Sequence, residues 1–184
     1  MVPMLAECRN LLKKYSVPGH IVEHSRVVCE IATCLCRLLN RQGEELDEAK
    51  VIAGSWLHDI AKMDGFNTGE NHSLAGAHLL EKLGYPEVAE IVRQHVILDD
   101  EIYGGPIGET VIVHYADKRV KHTAIVSLEE RFHDLKERYG KTAAAFAWLE
   151  NLEVRTRELE ERIFEHLPIS PDSLKSLVEG ENPG

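Results

Sequence analysis

No stretch of this sequence approaches the ~20 consecutive apolar residues that a membrane-spanning helix needs. Its opening, Met1-Val2-Pro3-Met4-Leu5-Ala6-Glu7, lacks the basic region and long apolar core of a secretory signal, so the expected location is the cytoplasm. A long basic block is also missing. The 21 Lys and Arg are outnumbered by 31 Asp and Glu, for a net charge of −10. That balance argues against a general nucleic-acid binder, because such affinity rests on Lys and Arg neutralising phosphates. It leaves room for a local basic cluster that serves one small phosphorylated ligand. Cysteine is scarce, at four residues, and three of these (Cys29, Cys34, Cys36) fall on one expected helix. Cys34 and Cys36 point about 200° apart there, which suits neither a disulfide nor a shared metal. They read as reduced core residues. Strand-like alternation between hairpin turns and internal repeats are both lacking.

What is present is helical periodicity over 184 residues, enough for one domain with a substantial core. Helices are expected at about 4–15, 19–41, from the N-cap Asp47 through Ile60, 72–83, 86–98, 109–121, 127–139 and 141–166. Gly43, Gly84 and Gly140 end three of them, and Pro86 opens one in its favoured first turn. Segments 63–71 and 99–108, rich in Gly, Asn and Asp or in Gly and Pro, read as loops. The fold class is therefore all-α, a compact bundle of six to eight helices with a long C-terminal helix. Residues 1–167 are expected to form one domain and 168–184 a short mobile tail. The C-terminal stripe Phe146, Leu149, Leu152, Leu159 and Ile163 serves as a cover for the core or as a homodimer contact.

The informative residues are polar ones on apolar faces. On the second helix, Ile21, Val28, Ala32, Leu35 and Leu39 mark the buried stripe, and His24 lies on it. His58 and Asp59 emerge from a segment apolar on nearly every face. His95 follows Val88 and Ile91, and Asp117 sits four after Val113 and three before Val120. A single core histidine is usually satisfied by a carbonyl or hydroxyl. Four helices each sending an imidazole or carboxylate inward are most economically satisfied by a shared divalent cation, since unpaired burial costs several kcal/mol. Neutral imidazole and ionised carboxylate suit zinc, manganese, iron or nickel.

The order His24, His58-Asp59, Asp117 resembles the HD superfamily of metal-dependent phosphohydrolases. Trp56-Leu57-His58-Asp59-Ile60-Ala61-Lys62 is similar to its signature segment, and His114-Tyr115-Ala116-Asp117-Lys118 to its closing motif. His72, in the context His-x-x-x-Gly-Ala, and His95, ending Glu90-Ile91-Val92-Arg93-Gln94-His95, match the branch with a second metal site. That branch includes dinucleoside tetraphosphate hydrolases. The resemblance covers about residues 19–121. It implies an HD-type domain in which His24, His58, Asp59 and Asp117 hold one metal and His72 and His95 a second, with Asp59 bridging. The cofactor would be two divalent transition-metal ions (Fe, Mn, Zn, Ni or Co).

The reaction so implied is hydrolysis of a phosphoester or phosphoanhydride of a small nucleotide-like substrate by a metal-bound hydroxide. Asp59 would hold the metals and accept a proton. Lys62, one turn after His58, would stabilise the transition state, or be a solvated lysine at a helix end. Lys118, Arg119 and Lys121 form a basic run that would receive a substrate phosphate; taken singly, each of them and Arg26 reads as an ordinary surface charge. Asp64 would bind through a water or cap a turn. His20 and His78 fall outside the ligand pattern, and His114 is a supporting group or a packing residue. His122, His133 and His166 read as surface residues. Two alternatives stand beside the hydrolase: a metal-retaining regulatory or ligand-binding module with little turnover, and a di-iron oxygenase. The loops at 63–71 and 99–108 are expected to set specificity.

Overall fold

A computed structural model of the chain describes residues 1–63, 71–165 and 167–180. Asp64 and the rest of 64–70, His166, and the last four residues of the expected tail lie outside the described residues. Helix α1 (Leu5–Lys14) leads into the long α2 (Gly19–Arg41), which presents Ile21, His24, Val28, Ile31, Ala32, Leu35 and Leu39 to the interior. Helix α3 (Glu48–Leu57) starts where the Asp47 carboxylate accepts from the backbone N–H of Ala49 and Lys50, at 2.9 and 3.3 Å. Helices α4 (His72–Lys82) and α5 (Pro86–Gln94) form an antiparallel pair. Their link passes through Gly84 at φ +86°, a left-handed conformation that glycine adopts without penalty.

Two long apolar clusters make the core. One joins α2 to α7 (Glu109–Lys118), α8 (Leu128–Tyr139) and α9 (Ala143–Phe164); the other joins α1, α3, α4 and α5. The α3–α5 contact is close because Gly54 has no side chain. A Cβ there would stand 2.6 Å from Ile91 Cγ2. That approach brings the end of α3, with His58 and Asp59, beside the end of α5, with His95. No helix among the described residues is long and apolar enough to cross a membrane. All four cysteines are free and buried.

Besides two helices that end three or four residues early, at Leu57 and Gln94, the structure departs from expectation in three places. The stretch 99–108 contains a short helix, α6 (Asp100–Gly104). The helix expected to 121 stops at Lys118 and gives way to a hairpin, β1 (Val120–Lys121) against β2 (Ala124–Ile125), paired Val120 with Ile125 and Lys121 with Ala124. Two residues per strand are too few for alternation to register, and the turn needs His122 at φ +57°. Finally, the segment expected as a mobile tail forms a 3-10 turn (Pro171–Ser173) and helix α10 (Leu174–Gly180). Leu174 and Val178, one turn apart, are buried in the core. Arg119 Nη2 donates to the Pro171 carbonyl at 3.0 Å and pins that segment.

Candidate metal centre

Six polar side chains from five stretches of chain meet at the junction of the two apolar clusters. His24 comes from the second turn of α2, His58 and Asp59 from the end of α3, His72 from the first residue of α4, His95 from the end of α5 and Asp117 from the last turn of α7. His58, Asp59, His95, His24 and Asp117 are buried; His72 is half-buried. Two groups, His24 with His58 and Asp59, and Asp59 with His72 and His95, each present ligand atoms within 4.8 Å of one another. Asp59 belongs to both. Its Oδ2 faces His58 Nε2 at 3.3 Å, and its Oδ1 faces His72 Nε2 at 3.4 Å and His95 Nε2 at 3.6 Å. Asp117 Oδ1 lies 3.0 Å from His24 Nε2 and 3.6 Å from His58 Nε2.

Hydrogen bonding at the other ring nitrogen orients three of these imidazoles. Nδ1 of His24 points at the His122 carbonyl (2.8 Å), that of His58 at the Ser55 carbonyl (2.7 Å) and that of His95 at the Val92 carbonyl (2.7 Å). A carbonyl accepts only, so each Nδ1 carries the proton, and in the neutral ring Nε2 is a bare lone pair. Those lone pairs aim at carboxylate oxygens, and His95 Nε2 also lies 3.1 Å from His72 Nε2. His58 Nε2 and Asp59 Oδ1 are buried without a hydrogen-bond partner. Acceptor facing acceptor in a buried space is satisfied by a proton or a cation, and this nitrogen and oxygen donor set suits a divalent ion.

The electrostatics agree. Burial works against ionising Asp59, yet His58, His72 and His95 hold its carboxyl well below the usual range. Burial opposes ionisation of Asp117 too, and Lys118, His24 and His58 outweigh it in the same direction. Burial alone would keep His58 neutral, but the Asp59 charge raises its pKa. Burial pushes His95 down to about 4, leaving it neutral and able to ligate at ordinary pH. His114 is fully buried, and burial followed by the Lys118 charge keeps it neutral. Its Nδ1 is 3.0 Å from the His95 carbonyl, so it supports the backbone of the neighbouring site residue.

A cavity of about 290 Å³ opens onto Asp59, His72, His95 and Asp117. Lys62 and Lys118 line it. Lys62 Nζ is 2.6 Å from Asp59 Oδ2, and Lys118 Nζ is 2.8 Å from Asp117 Oδ2. Arg119 and Lys121 do not. Arg119 turns the other way, 3.1 Å from Glu160 and 2.7 Å from the Val126 carbonyl, because the helix ends at Lys118 and its side chain is drawn into the α9 interface. Lys121 sits on the hairpin and pairs with Asp134 at 3.3 Å. Arg26 is held by Glu23 and Glu30 on its own helix. His20, His78, His122 and His133 are exposed, although the His122 carbonyl orients His24.

The stretch 99–108 contributes nothing to the cavity wall; α8 and α9 do, through Arg131, Leu135, Tyr139, Trp148, Leu149 and Leu152. Arg131 and Trp148 are not among the candidates that the sequence marks, because both lie beyond the recognisable motifs. The cue for Trp148 was a large aromatic on a highly charged helix.

A match to the HD domain family spans residues 21–133. This chain belongs to that family. An uncharacterized protein of Methanocaldococcus jannaschii is 30% identical over 135 residues, 66% of this chain and 79% of its own length. The dihydroneopterin 2′,3′-cyclic phosphate phosphodiesterase of the same organism is 30% identical over 177 residues, 86% of this chain and 69% of that protein. The tRNA (cytidine(56)-2′-O)-methyltransferase of Thermoplasma volcanium is 26% identical over 162 residues, and there this HD-family chain spans only 46% of its relative.

Proposed function

We propose that this HD-family chain is a metal-dependent phosphohydrolase acting on a small phosphorylated substrate, and that its centre holds two divalent ions. The observation that carries the reading is the division of Asp59. One oxygen serves the side with His24, His58 and Asp117, and the other serves the side with His72 and His95. When bound there, divalent ions lower the pKa of a water and polarise a phosphoryl oxygen.

The chain supplies the rest. The carbonyls of His122, Ser55 and Val92 fix three imidazole tautomers, so the ligand atoms are oriented before any ion arrives. Asp59, with its depressed pKa, is a ligand and a poor proton acceptor. Lys62 reaches the cavity beside Asp59 Oδ2 and places an ammonium where charge on a phosphoryl group develops. Burial works to lower its pKa, but Asp59 holds it above the usual lysine value, so it is charged. Among relatives, the 30% identical phosphodiesterase is named for a small cyclic phosphodiester. That supports a phosphoester substrate ahead of a phosphoanhydride.

The test is a panel of metal-reconstituted protein against cyclic phosphodiesters, nucleotides, dinucleoside polyphosphates and an aryl phosphate. Phosphate ester hydrolysis that disappears on chelation and returns with metal is the expected result. Protein that holds its metal yet hydrolyses nothing on the panel would favour a regulatory module instead.

A further inference from the structure

The cavity over the candidate centre is built from two unlike halves. Its floor is Asp59, His72, His95 and Asp117, and its far wall comes from α8 and α9. Among the described residues, three cations face it. Two of them are committed, Lys62 to Asp59 and Lys118 to Asp117 and to the His95 carbonyl. Arg131 is not. Its contact with Asp134 is long, Nη1 to Oδ2 at 3.4 Å, and its Nε is buried with no hydrogen-bond partner. Asp134 also pairs with Lys121 at 3.3 Å and Arg138 at 3.0 Å, so one carboxylate is divided among three cations.

The Arg131 side chain is only 14% exposed. A guanidinium offers five donors in a rigid fork matched to phosphate oxygens. Burying one of them, Nε–H, with no acceptor and holding Nη1 by one long contact leaves the fork under-satisfied until an anion arrives. On the same wall Trp148, 44% exposed, and Tyr139 present aromatic surface at the mouth, above the buried Leu149 and Leu152.

We propose that Arg131 grips the phosphoryl group of the ligand while Trp148 carries a flat ring, so that the ligand class is a phosphate ester of one aromatic or heteroaromatic unit. The cavity, about 290 Å³, stands at the low end of ligand pockets. It suits one ring with one phosphoryl group better than two nucleosides joined by a polyphosphate. The inference rests on the phosphohydrolase reading for the position of the reacting phosphate, but its readout is binding.

The experiment is titration calorimetry of metal-loaded protein with inorganic phosphate, phenylphosphonate and cyclohexylphosphonate, whose P–C bonds are not hydrolysed. Wild type should bind phenylphosphonate tighter than cyclohexylphosphonate by several-fold. Trp148→Ala should equalise the two while leaving inorganic phosphate unchanged. Arg131→Ala should weaken all three by about tenfold, and Arg131→Lys should recover part of the loss. Thermal midpoints and metal content of each variant establish that fold and centre are intact. Arg131→Ala binding phosphate as well as wild type, equal affinity for the two phosphonates in wild type, or no binding at all would each overturn the proposal. Binding as described with no turnover on any phosphate ester would instead sink the hydrolase reading alone.

Discussion

The Lys118 ammonium donates to the backbone carbonyl of His95 at 2.9 Å, and so ties α7 to the end of α5 across the candidate centre. The same ammonium neutralises Asp117. Lys118 is therefore a brace between two elements that carry site residues as well as a cation lining the cavity. Removing one partner from a buried charge pair costs about 3–5 kcal/mol. Lys118→Met should lower the stability of the metal-free protein by about 3 kcal/mol in chemical denaturation and weaken metal affinity. A variant with unchanged stability and only a raised KM would show that Lys118 acts on substrate alone.

Arg119, one residue later, makes the opposite prediction for catalysis. Its guanidinium joins Glu160, the Tyr115 hydroxyl and the carbonyls of Val126 and Pro171, binding α7, α9 and the C-terminal segment together. Arg119→Ala should cost about 3 kcal/mol or more by thermal or urea unfolding. KM for any hydrolysed ester should stay within about twofold of wild type, since the side chain does not face the cavity.

How much of this was legible beforehand follows from where each signal sits. His24, His58, Asp59, His95 and Asp117 announced themselves because each interrupts an apolar stripe on a helix long enough for its period to show. His72 was different: it stands at the start of α4, where no stripe precedes it, and only the resemblance to HD proteins picked it out. Arg119 and Lys121 looked equivalent to Lys118 as neighbours in a basic run. The helix end at Lys118 sends the three side chains in different directions, and that end depends on a hairpin of two-residue strands. Leu174 and Val178 form a two-residue stripe in a polar tail, too short to read as an amphipathic helix. Their burial becomes visible only once α2 is in place to receive them.

Gly54 links packing to the site. Adding a methyl group there meets Ile91 Cγ2 at 2.6 Å, and a β-branched side chain in a helix has little rotamer freedom to move away. Gly54→Ala should destabilise by about 1–3 kcal/mol and loosen metal binding by separating His58 and Asp59 from His95. Combining it with Ile91→Ala should cost less than the sum of the single changes. Strict additivity in the double-mutant cycle would show that the α3–α5 approach is not controlled at this contact.

The central claim is that Asp59 joins two ion sites, and metal content measured beside turnover tests it most directly. Reconstituted wild type, Asp59→Asn and His72→Ala should be compared by inductively coupled plasma mass spectrometry and by phosphate release, with circular dichroism to verify helicity. The account predicts two ions per chain in wild type, one in His72→Ala, and loss of tightly held metal with no hydrolysis in a still helical Asp59→Asn. Wild-type metal content and turnover in Asp59→Asn would contradict it.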